Sequence, residues 1–312
     1  MNFELTTLGT SAAYPTPRRW ASAQYLRTPR HGLLIDCAEG TQIALAANGI
    51  GWSSVDTILI SHLHGDHCYG LPGLLTSWSL LQRDRSLRLV GPPGLQELLT
   101  TVFRLSHTGL PYAIEYLVVD PAAAPAIVCK DKHICVQTLP LRHRVPTVGY
   151  LVREQARPRS MRAAAIEQYS IPYQQIPAIK AGADFQTATG QIVPNTELTA
   201  PAPPRRSFAY CSDTIYLPGL AEIIQGVDLL SHEATFLHEM AEHAHSSGHS
   251  TAQQAAQLAA AAQVGRLVID HFSPRYLDLG PLLAEARAVF SATHLSAEGK
   301  VFDVPYAGRQ VE

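Results

Sequence analysis

Short apolar segments recur along the chain, and each is followed by a residue able to bind a metal ion. The segments are "DTILIS", "CVQTLPLR", "RSFAYCS", "VDLLS" and "RLVID", and they precede His62, His143, Asp213, His232 and His271. Short runs of apolar and β-branched residues are typical of buried strands. Because ligands collect at the carboxyl ends of strands in open α/β sheets, the pattern predicts five strands that deliver polar groups to one edge.

Helices are predicted between these strands, so the chain is expected to have an α/β fold. Residues 72–83 start with Pro72, which suits the first turn of a helix. Residues 250–264 are rich in alanine, and Ser250 and Gln253 have the spacing of a capping box. Residues 283–293 form the third predicted helix.

Residues 152–205 interrupt the succession of predicted strands between His143 and Asp213. It is polar and rich in proline, and its strand pattern is weak. The composition predicts an inserted arm that projects from one core of residues 1–312, rather than a separate domain.

The composition excludes some classes of protein. The chain has 312 residues and a formal charge of -2, so its charge does not indicate a nucleic-acid binder. It contains no run of 18 apolar residues, which predicts that it has no contact with a membrane. The opening residues lack the basic and apolar regions of a signal peptide, and the five scattered cysteines suggest reduced thiols. A cytoplasmic location is therefore expected.

The densest polar cluster is "SHLHGDHCYGLPGLL", residues 61–75, with three histidines and one aspartate inside six positions. Imidazole and carboxylate together suit zinc or another borderline divalent ion. Two such ions about 3.5–4 Å apart can hold a hydroxide and clamp a phosphodiester, with a carboxylate shared between them. The predicted ligands are His62, His64, Asp66, His67, His143, Asp213 and His271, with Asp213 as the bridge.

These motifs resemble those of ribonuclease Z, the tRNA 3′-processing endonucleases of the metallo-β-lactamase superfamily. The cluster is similar to their H-x-H-x-D-H motif followed by G-L-P-G-L-L. The resemblance extends over nearly the whole chain, through "FELTTLGTSAAYPT", "LLIDCAEGTQ", "LRHRVPTVGYLV", "YCSDT", "SHEATF", "GHSTAQQAA" and "DHFSPRY".

The resemblance implies a four-layer αββα sandwich that holds two Zn²⁺ per subunit, and Mn²⁺ is another ion that the ligands would accept. His62, His64 and His143 would hold one ion, and Asp66, His67 and His271 the other. A metal hydroxide would attack the phosphodiester after the discriminator nucleotide of precursor tRNA. The tRNA would then keep a 3′-hydroxyl, and the trailer a 5′-phosphate.

The resemblance also implies roles in proton transfer. Asp66 would be the general base, and His249 would donate a proton to the leaving oxygen. Glu233 or His232 would orient His249. One interpretation of Asp36 is a buried support that orients a ligand histidine.

Substrate contacts and assembly are expected from the same resemblance. The family's arm docks tRNA, and the family is usually a homodimer. The loop "PTPRRW" keeps Arg19 but has Pro17 and Trp20 where the family has lysine and asparagine, which puts discrimination against CCA-bearing tRNA in question. The predicted substrate-binding residues are Arg19, Arg153, Arg157, Arg159, Arg162, Lys180 and Arg275.

Two other classes of function remain open at this stage. The near-neutral charge and an arm with few cations favour a phosphodiesterase or small-ester hydrolase of the same fold that does not act on tRNA. A binding module without metal is the third class, and the complete set of predicted ligands argues against it. Cleavage of precursor tRNA, compared with a small phosphodiester, separates the first two.

Overall fold

The computed structural model describes residues 2–304, and its strands fall into two large sheets and two short two-stranded sheets. The strands are β1 (Glu4–Gly9), β2 (Ala23–Arg27), β3 (Gly32–Ile35), β4 (Thr57–Leu59), β5 (Leu87–Gly91), β6 (Ile114–Val118), β7 (Ile127–Lys130), β8 (Ile134–Pro140), β9 (Val148–Glu154), β10 (Ser160–Met161), β11 (Phe185–Gln186), β12 (Ile192–Val193), β13 (Thr199–Ala200), β14 (Ser207–Cys211), β15 (Leu229–Glu233), β16 (Arg266–Asp270), β17 (Thr293–Leu295) and β18 (Val301–Asp303).

The helices lie mainly in the connections between strands. They are α1 (Thr41–Ala47), α2 (Gly65–Cys68), α3 (Leu71–Leu80), α4 (Leu95–Leu105), α5 (Ala163–Gln168), α6 (Ile176–Lys180), α7 (Asn195–Leu198), α8 (Leu220–Ile223), α9 (Ala241–Ser247), α10 (Ala252–Ala261) and α11 (Gly280–Val289). Within residues 2–304, no helix combines the length and apolarity needed to cross a bilayer.

Each large sheet has seven strands and mixes parallel with antiparallel pairs. The first has the order β18-β1-β2-β3-β4-β5-β6, and β3 to β6 run parallel. The second has the order β17-β16-β15-β14-β9-β8-β7, and β14 to β17 run parallel. Parallel neighbours place their carboxyl ends at the same edge of a sheet. The predicted polar residues follow these strand ends in the chain.

Successive apolar side chains along the strands point to opposite faces of each sheet and together form three apolar layers. In β3, Leu33 and Ile35 face the core between the two sheets, whereas Leu34 packs under the helices of the first half. In β15, Leu229 faces the core between the sheets, and Leu230 packs under α8, α10 and α11. Because successive strand side chains point to opposite faces, both faces of each sheet are covered. The four layers confirm the predicted αββα sandwich.

All five strands predicted from the apolar segments are present, as β4, β8, β14, β15 and β16. The predicted helices are also present, but their bounds differ by a few residues. The helix predicted at 250–264 is α10, and its capping box consists of Thr251 and Gln254, not Ser250 and Gln253. The oxygen of Ser250 instead donates to the carbonyl of Thr214 over 2.7 Å.

Residues Glu154–Arg205 form a compact unit of their own within the described chain. Its helices α5 to α7 and its two-stranded sheets, β10–β13 and β11–β12, enclose a small apolar core. The buried residues of that core are Ala165, Ile171, Ile179, Phe185, Val193 and Leu198. We call this unit the arm. The sequence pattern predicts an arm at 152–205, and Val152, Arg153 and Glu154 are the last residues of β9.

Candidate metal and catalytic site

Four polar side chains converge from three strand ends. His62 and His64 follow β4, His143 follows β8, and Asp213 follows β14. Nδ1 of His64 lies 3.1 Å from Nε2 of His62 and 3.3 Å from Nε2 of His143. Oδ2 of Asp213 is 3.7 Å from Nε2 of His62 and 3.9 Å from Nε2 of His143. One potential ligand atom from each residue therefore lies within 4.8 Å of the others.

A second cluster adjoins the first through Asp213. Nε2 of His67 lies 3.3 Å from Nε2 of His271, and both nitrogens are 3.3 Å from Oδ1 of Asp213. Oδ2 of Asp66 is 3.7 Å from the His67 nitrogen and 3.5 Å from the His271 nitrogen. The structure thus brings together all seven side chains that the sequence nominated as metal ligands.

The donor set fits divalent cations. Within residues 2–304, the buried Oδ1 of Asp213 accepts no hydrogen bond, although ring nitrogens surround it. A buried carboxylate oxygen without a donor is costly unless another partner neutralises it. Imidazole nitrogens of different residues also lie 3.1–3.3 Å apart, close enough to ligate a common ion. Both features suit a cation shared between Asp213 and the histidines.

In four of the predicted ligand histidines, the ring nitrogen that points away from the cluster contacts another group. Such contacts orient the imidazole and leave the opposite nitrogen available as a ligand. The contacts are His62 Nδ1 with Ser61 Oγ at 3.0 Å, His67 Nδ1 with Asp36 Oδ2 at 2.8 Å, His143 Nδ1 with the Gly248 carbonyl at 2.8 Å, and His271 Nδ1 with Thr235 Oγ1 at 3.0 Å.

Local backbone geometry supports these contacts. Asp36 and His271 have φ angles of 55° and 58°, in the left-handed region that most side chains avoid. Gly248 also has a positive φ, of 84°, and a Cβ placed there would lie 2.5 Å from Nδ1 of His143. The close approach of His143 to this carbonyl therefore requires glycine.

The electrostatics of the cluster favour an anionic Asp213. Burial alone would raise the pKa of this carboxyl, but the positive charges of His271 and His67 lower it well below its ordinary value. Burial likewise would lower the pKa of His67, whereas Asp213, Asp66 and Asp36 raise it well above the usual range. Each charge is thus stabilised by an opposite charge within the site.

His249 lies beside the cluster and is paired with Glu233. Nδ1 of His249 donates to Oε1 of Glu233 over 3.0 Å, and it is 3.9 Å from Oδ2 of Asp213. Burial would lower the pKa of His249, but the charge and hydrogen bond of Glu233 raise the pKa to about 9. The imidazole is therefore held in its protonated form at neutral pH.

Of the two residues expected to orient His249, only Glu233 contacts it. His232 precedes Glu233 in β15, so its side chain points to the opposite face of the sheet. Nδ1 of His232 lies 2.6 Å from the Glu233 carbonyl, and among the described residues no group forms a hydrogen bond with its buried Nε2. The structure does not place His232 among the residues that line the site.

Both clusters and His249 border one open cavity of about 710 Å³. Two side chains at its rim, Tyr14 and Arg144, were not among the residues predicted from sequence. Thr235 was also missed, although it lies within the "SHEATF" motif. Its hydroxyl donates to Oε2 of Glu233 over 2.6 Å and contacts His271, so it links the two residues.

The arginines predicted to bind substrate are dispersed. Arg275 lines the cavity, stacked 5.0 Å from the ring of Phe236. Arg19 borders a neighbouring cavity and donates to the carbonyls of Ser273 and Tyr276. Arg153 lies in β9 and donates to the Ile223 carbonyl, so it is part of the main unit rather than the arm.

The fold and site together define the chain as a hydrolase of the metallo-β-lactamase class, which uses divalent metal ions. A family model described as the beta-lactamase superfamily domain matches residues 195–272, and one described as anti-Pycsar protein Apyc1 matches residues 3–106. A long-form RNase Z from yeast shares the fold, with a TM-score of 0.71 at 19% identity over 97% of this chain and 42% of that one.

Relatives with higher sequence identity indicate which family within this class the chain belongs to. Ribonuclease Z of Parabacteroides distasonis is 42% identical, covering 96% of this chain and 98% of that protein. Ribonuclease Z of Porphyromonas gingivalis strain W83 is 41% identical, covering 97% and 99%. The short form of human tRNase Z superimposes with a TM-score of 0.70 at 28% identity, covering 97% and 99%. The chain belongs to the ribonuclease Z family.

Proposed function

We propose that this protein is an endoribonuclease that removes the 3′ trailer from precursor tRNA. It cleaves after the discriminator nucleotide and leaves a 3′-hydroxyl on the tRNA and a 5′-phosphate on the trailer. The observation that carries this proposal is His249, which is paired with Glu233 and borders the same cavity as both ligand clusters. The full-length similarity to ribonuclease Z from two bacteria supports it.

Two zinc ions are the metals we propose for the site. His62, His64, His143 and Asp213 would hold one ion, and Asp66, His67, His271 and Asp213 the other. When bound, such ions neutralise charge on a phosphodiester and lower the pKa of water. The mixed nitrogen and carboxylate donors favour zinc over magnesium or calcium, which prefer oxygen ligands.

Asp66 is the proposed general base. The backbone N–H of Ala13 donates to its Oδ2 over 2.6 Å, so the carboxylate is held in a fixed direction at the cavity. The positive charges of His67 and His271 outweigh burial and keep the pKa of Asp66 well below its ordinary value. An ionised carboxylate in this position can accept a proton from water as the water attacks phosphorus.

His249 is the proposed general acid. Its pKa of about 9 keeps it protonated, and the bond from Nδ1 to Glu233 leaves the opposite nitrogen to serve the substrate. Donation of this proton to the leaving 3′-oxygen of the tRNA balances the proton that Asp66 takes from water. Glu233 acts through His249, so it is a positioning residue.

The arm is the proposed docking element for tRNA. Arg157 pairs with Glu154 at 2.9 Å, while Nε of Arg159 and Nε of Arg162 donate to Thr199. The guanidiniums of Arg159 and Arg162 each carry five N–H donors, more than their bonds to Thr199 use, and the other donors can contact phosphates. Lys180, at the end of α6, is a further cation of this unit.

A homodimer acting in the cytoplasm completes the proposal. Support comes from exposed apolar side chains near α1 and α3, where Ile43 is 55%, Leu80 80% and Leu81 61% exposed. Large apolar side chains that are exposed in one region are a common feature of protein–protein contacts. Because a compartment that contains precursor tRNA is required, the cytoplasm is the location that fits the substrate.

The test is cleavage of a precursor tRNA followed by mapping of both new ends. Cleavage after the discriminator, with a 3′-hydroxyl on the tRNA, is expected. A small chromogenic phosphodiester serves as the reference substrate. Hydrolysis of this small ester without cleavage of precursor tRNA would favour a phosphodiesterase of the same fold.

A further inference from the structure

Tyr14 and Arg144 lie at the rim of the catalytic cavity. We propose that the single-stranded RNA around the cleavage point crosses this cavity between them. One base next to the scissile phosphate stacks on Tyr14, and a neighbouring phosphate binds Arg144. This inference rests on the proposed function and assigns the path of its substrate.

Tyr14 is an exposed ring on an anchored loop. The residue is 57% exposed, and its N–H donates to the Ala12 carbonyl over 2.8 Å. The N–H of Ala12 donates to the Phe272 carbonyl over 3.0 Å, and the N–H of Ala13 donates to Asp66. Ala13 has a φ of 66°, an unfavourable value for alanine that these contacts maintain. The loop therefore holds the backbone that carries the ring in a defined position, with the ring exposed.

An exposed aromatic ring in a fixed position suits a nucleobase. Every base has a flat π face, so stacking on an aromatic side chain tolerates any sequence. Because the anchored loop has little freedom to lose, stacking on it costs little entropy. A base bound there would place its own phosphate near Asp66.

Arg144 is an exposed cation that follows His143 directly. Within residues 2–304, its guanidinium has no hydrogen-bond or ion-pair partner. Arg275, also at the cavity, is different because it donates to Ser273 Oγ at 3.1 Å and to Met240 Sδ at 2.9 Å. Arg144 therefore has all its donors available for a phosphate, which a guanidinium can bind with two parallel bonds.

The two side chains belong to opposite ends of the site. The Tyr14 loop contacts Asp66, which lies with His67 and His271. Arg144 adjoins His143, whose Nε2 lies by His64. Asp213 belongs to both clusters and lies between the two ends. On this path, a strand that touches both Tyr14 and Arg144 brings its phosphodiester near Asp213, where the catalytic groups converge.

The Tyr14 contact is tested with precursor tRNA that carries an abasic nucleotide on one or the other side of the scissile phosphate. At one of these positions, we expect the wild type to have a kcat/KM about tenfold lower on the abasic substrate than on intact RNA, as for loss of one stacked base. Tyr14→Ala should lower kcat/KM on intact RNA equally and show no further loss on that abasic substrate. Tyr14→Phe, which keeps the ring, should behave as the wild type. Additive losses at both positions would overturn the stacking contact.

The Arg144 contact is tested by the salt dependence of kcat/KM. Arg144→Ala should reduce the slope of log kcat/KM against log salt by about 0.7, the value for one phosphate of a single strand. Arg142→Ala is the matched control, because Arg142 is exposed two residues earlier and does not line the cavity. Arg144→Lys should retain the slope. Equal slopes for Arg144→Ala and Arg142→Ala would overturn the phosphate contact.

The experiments distinguish failure of the proposed function from failure of the strand's path. If the wild type does not cleave precursor tRNA, the proposed function is wrong. If it cleaves at the mapped position, and the variants at Tyr14 and Arg144 match their controls, only the path of the strand is wrong. Melting temperatures equal to that of the wild type show that a loss does not come from unfolding.

Discussion

Nδ1 of His67 donates a 2.8 Å hydrogen bond to Oδ2 of Asp36, and both side chains are fully buried between the sheets. The same carboxylate accepts bonds from the Ser61 N–H and hydroxyl and from the Tyr210 hydroxyl. Asp36 thus receives four donors and orients His67 toward Asp213. This geometry agrees with the interpretation of Asp36 as buried support for a ligand histidine.

We predict that Asp36→Asn lowers metal affinity about 10- to 100-fold, the usual effect of losing such a support. Asparagine tolerates the positive φ at this position, but its NH₂ group would face donors. Competition with a chelator measures the affinity. Tyr210→Phe is the matched control, since it removes one donor to Asp36 and leaves the contact with His67. Equal affinities for the two variants would contradict the role of Asp36.

The metal content is a second prediction. Zinc-saturated protein should contain two zinc ions per chain, because the two clusters offer separate ligand sets that share only Asp213. Elemental analysis of the purified protein against its concentration gives the number. A single ion after saturation would disprove the two-metal arrangement.

The role of His249 can be separated from metal binding. We predict that His249→Ala slows tRNA cleavage about 10²- to 10⁴-fold, the range for a lost general acid. Zinc should remain bound, although His249 lies close enough to Asp213 and His271 to be a possible ligand by geometry. His245→Ala, an exposed histidine on α9, is the control. Loss of zinc as complete as that of His62→Ala would make His249 a ligand instead.

The arm is predicted to affect capture of tRNA rather than chemistry. Replacement of residues 155–205 by a short glycine–serine linker should raise KM for precursor tRNA at least about tenfold, because remote contacts contribute to binding. Turnover of a small phosphodiester should stay nearly unchanged, since the catalytic groups all lie in the main unit. An unchanged KM for precursor tRNA would refute the docking role.

A pH-dependent ion pair links the two sheets away from the site. His31, next to β3, lies 2.8 Å from Asp131 after β7 and 3.3 Å from Asp56 before β4. The hydrogen bond and charge of Asp56 raise the pKa of His31 despite partial burial, and Asp131 adds to this effect. A histidine with a raised pKa contributes stability below its unfolded pKa, and this contribution is lost as pH rises through the folded pKa.

We therefore predict that His31→Gln lowers the free energy of unfolding at pH 6 by up to about 1 kcal/mol, as for a partly exposed pair. At pH 9 the loss should be smaller. Urea unfolding at both pH values measures the difference from the wild type. Asp131→Asn should show the same trend, and a loss that does not depend on pH would exclude the ion pair as its cause.

Much of the fold was determined by the sequence alone. Apolar runs such as "DTILIS" and "RLVID" became β4 and β16 because a chain buried on both faces of a sheet needs continuous apolar residues. The ligand types were also fixed locally, since His62, His64, Asp66 and His67 follow one strand within six positions. The motifs added the order of the remaining ligands, which lie far apart along the chain.

Only the tertiary structure decided which groups meet. It chose Glu233 over His232 as the partner of His249, because neighbouring strand residues point to opposite faces and only packing shows which face borders the site. It placed the N–H of Ala13 on Asp66, a backbone contact with no side-chain signature in the sequence. Contacts of this kind depend on the meeting of distant loops, so the free energy of packing, not local pattern, determines them.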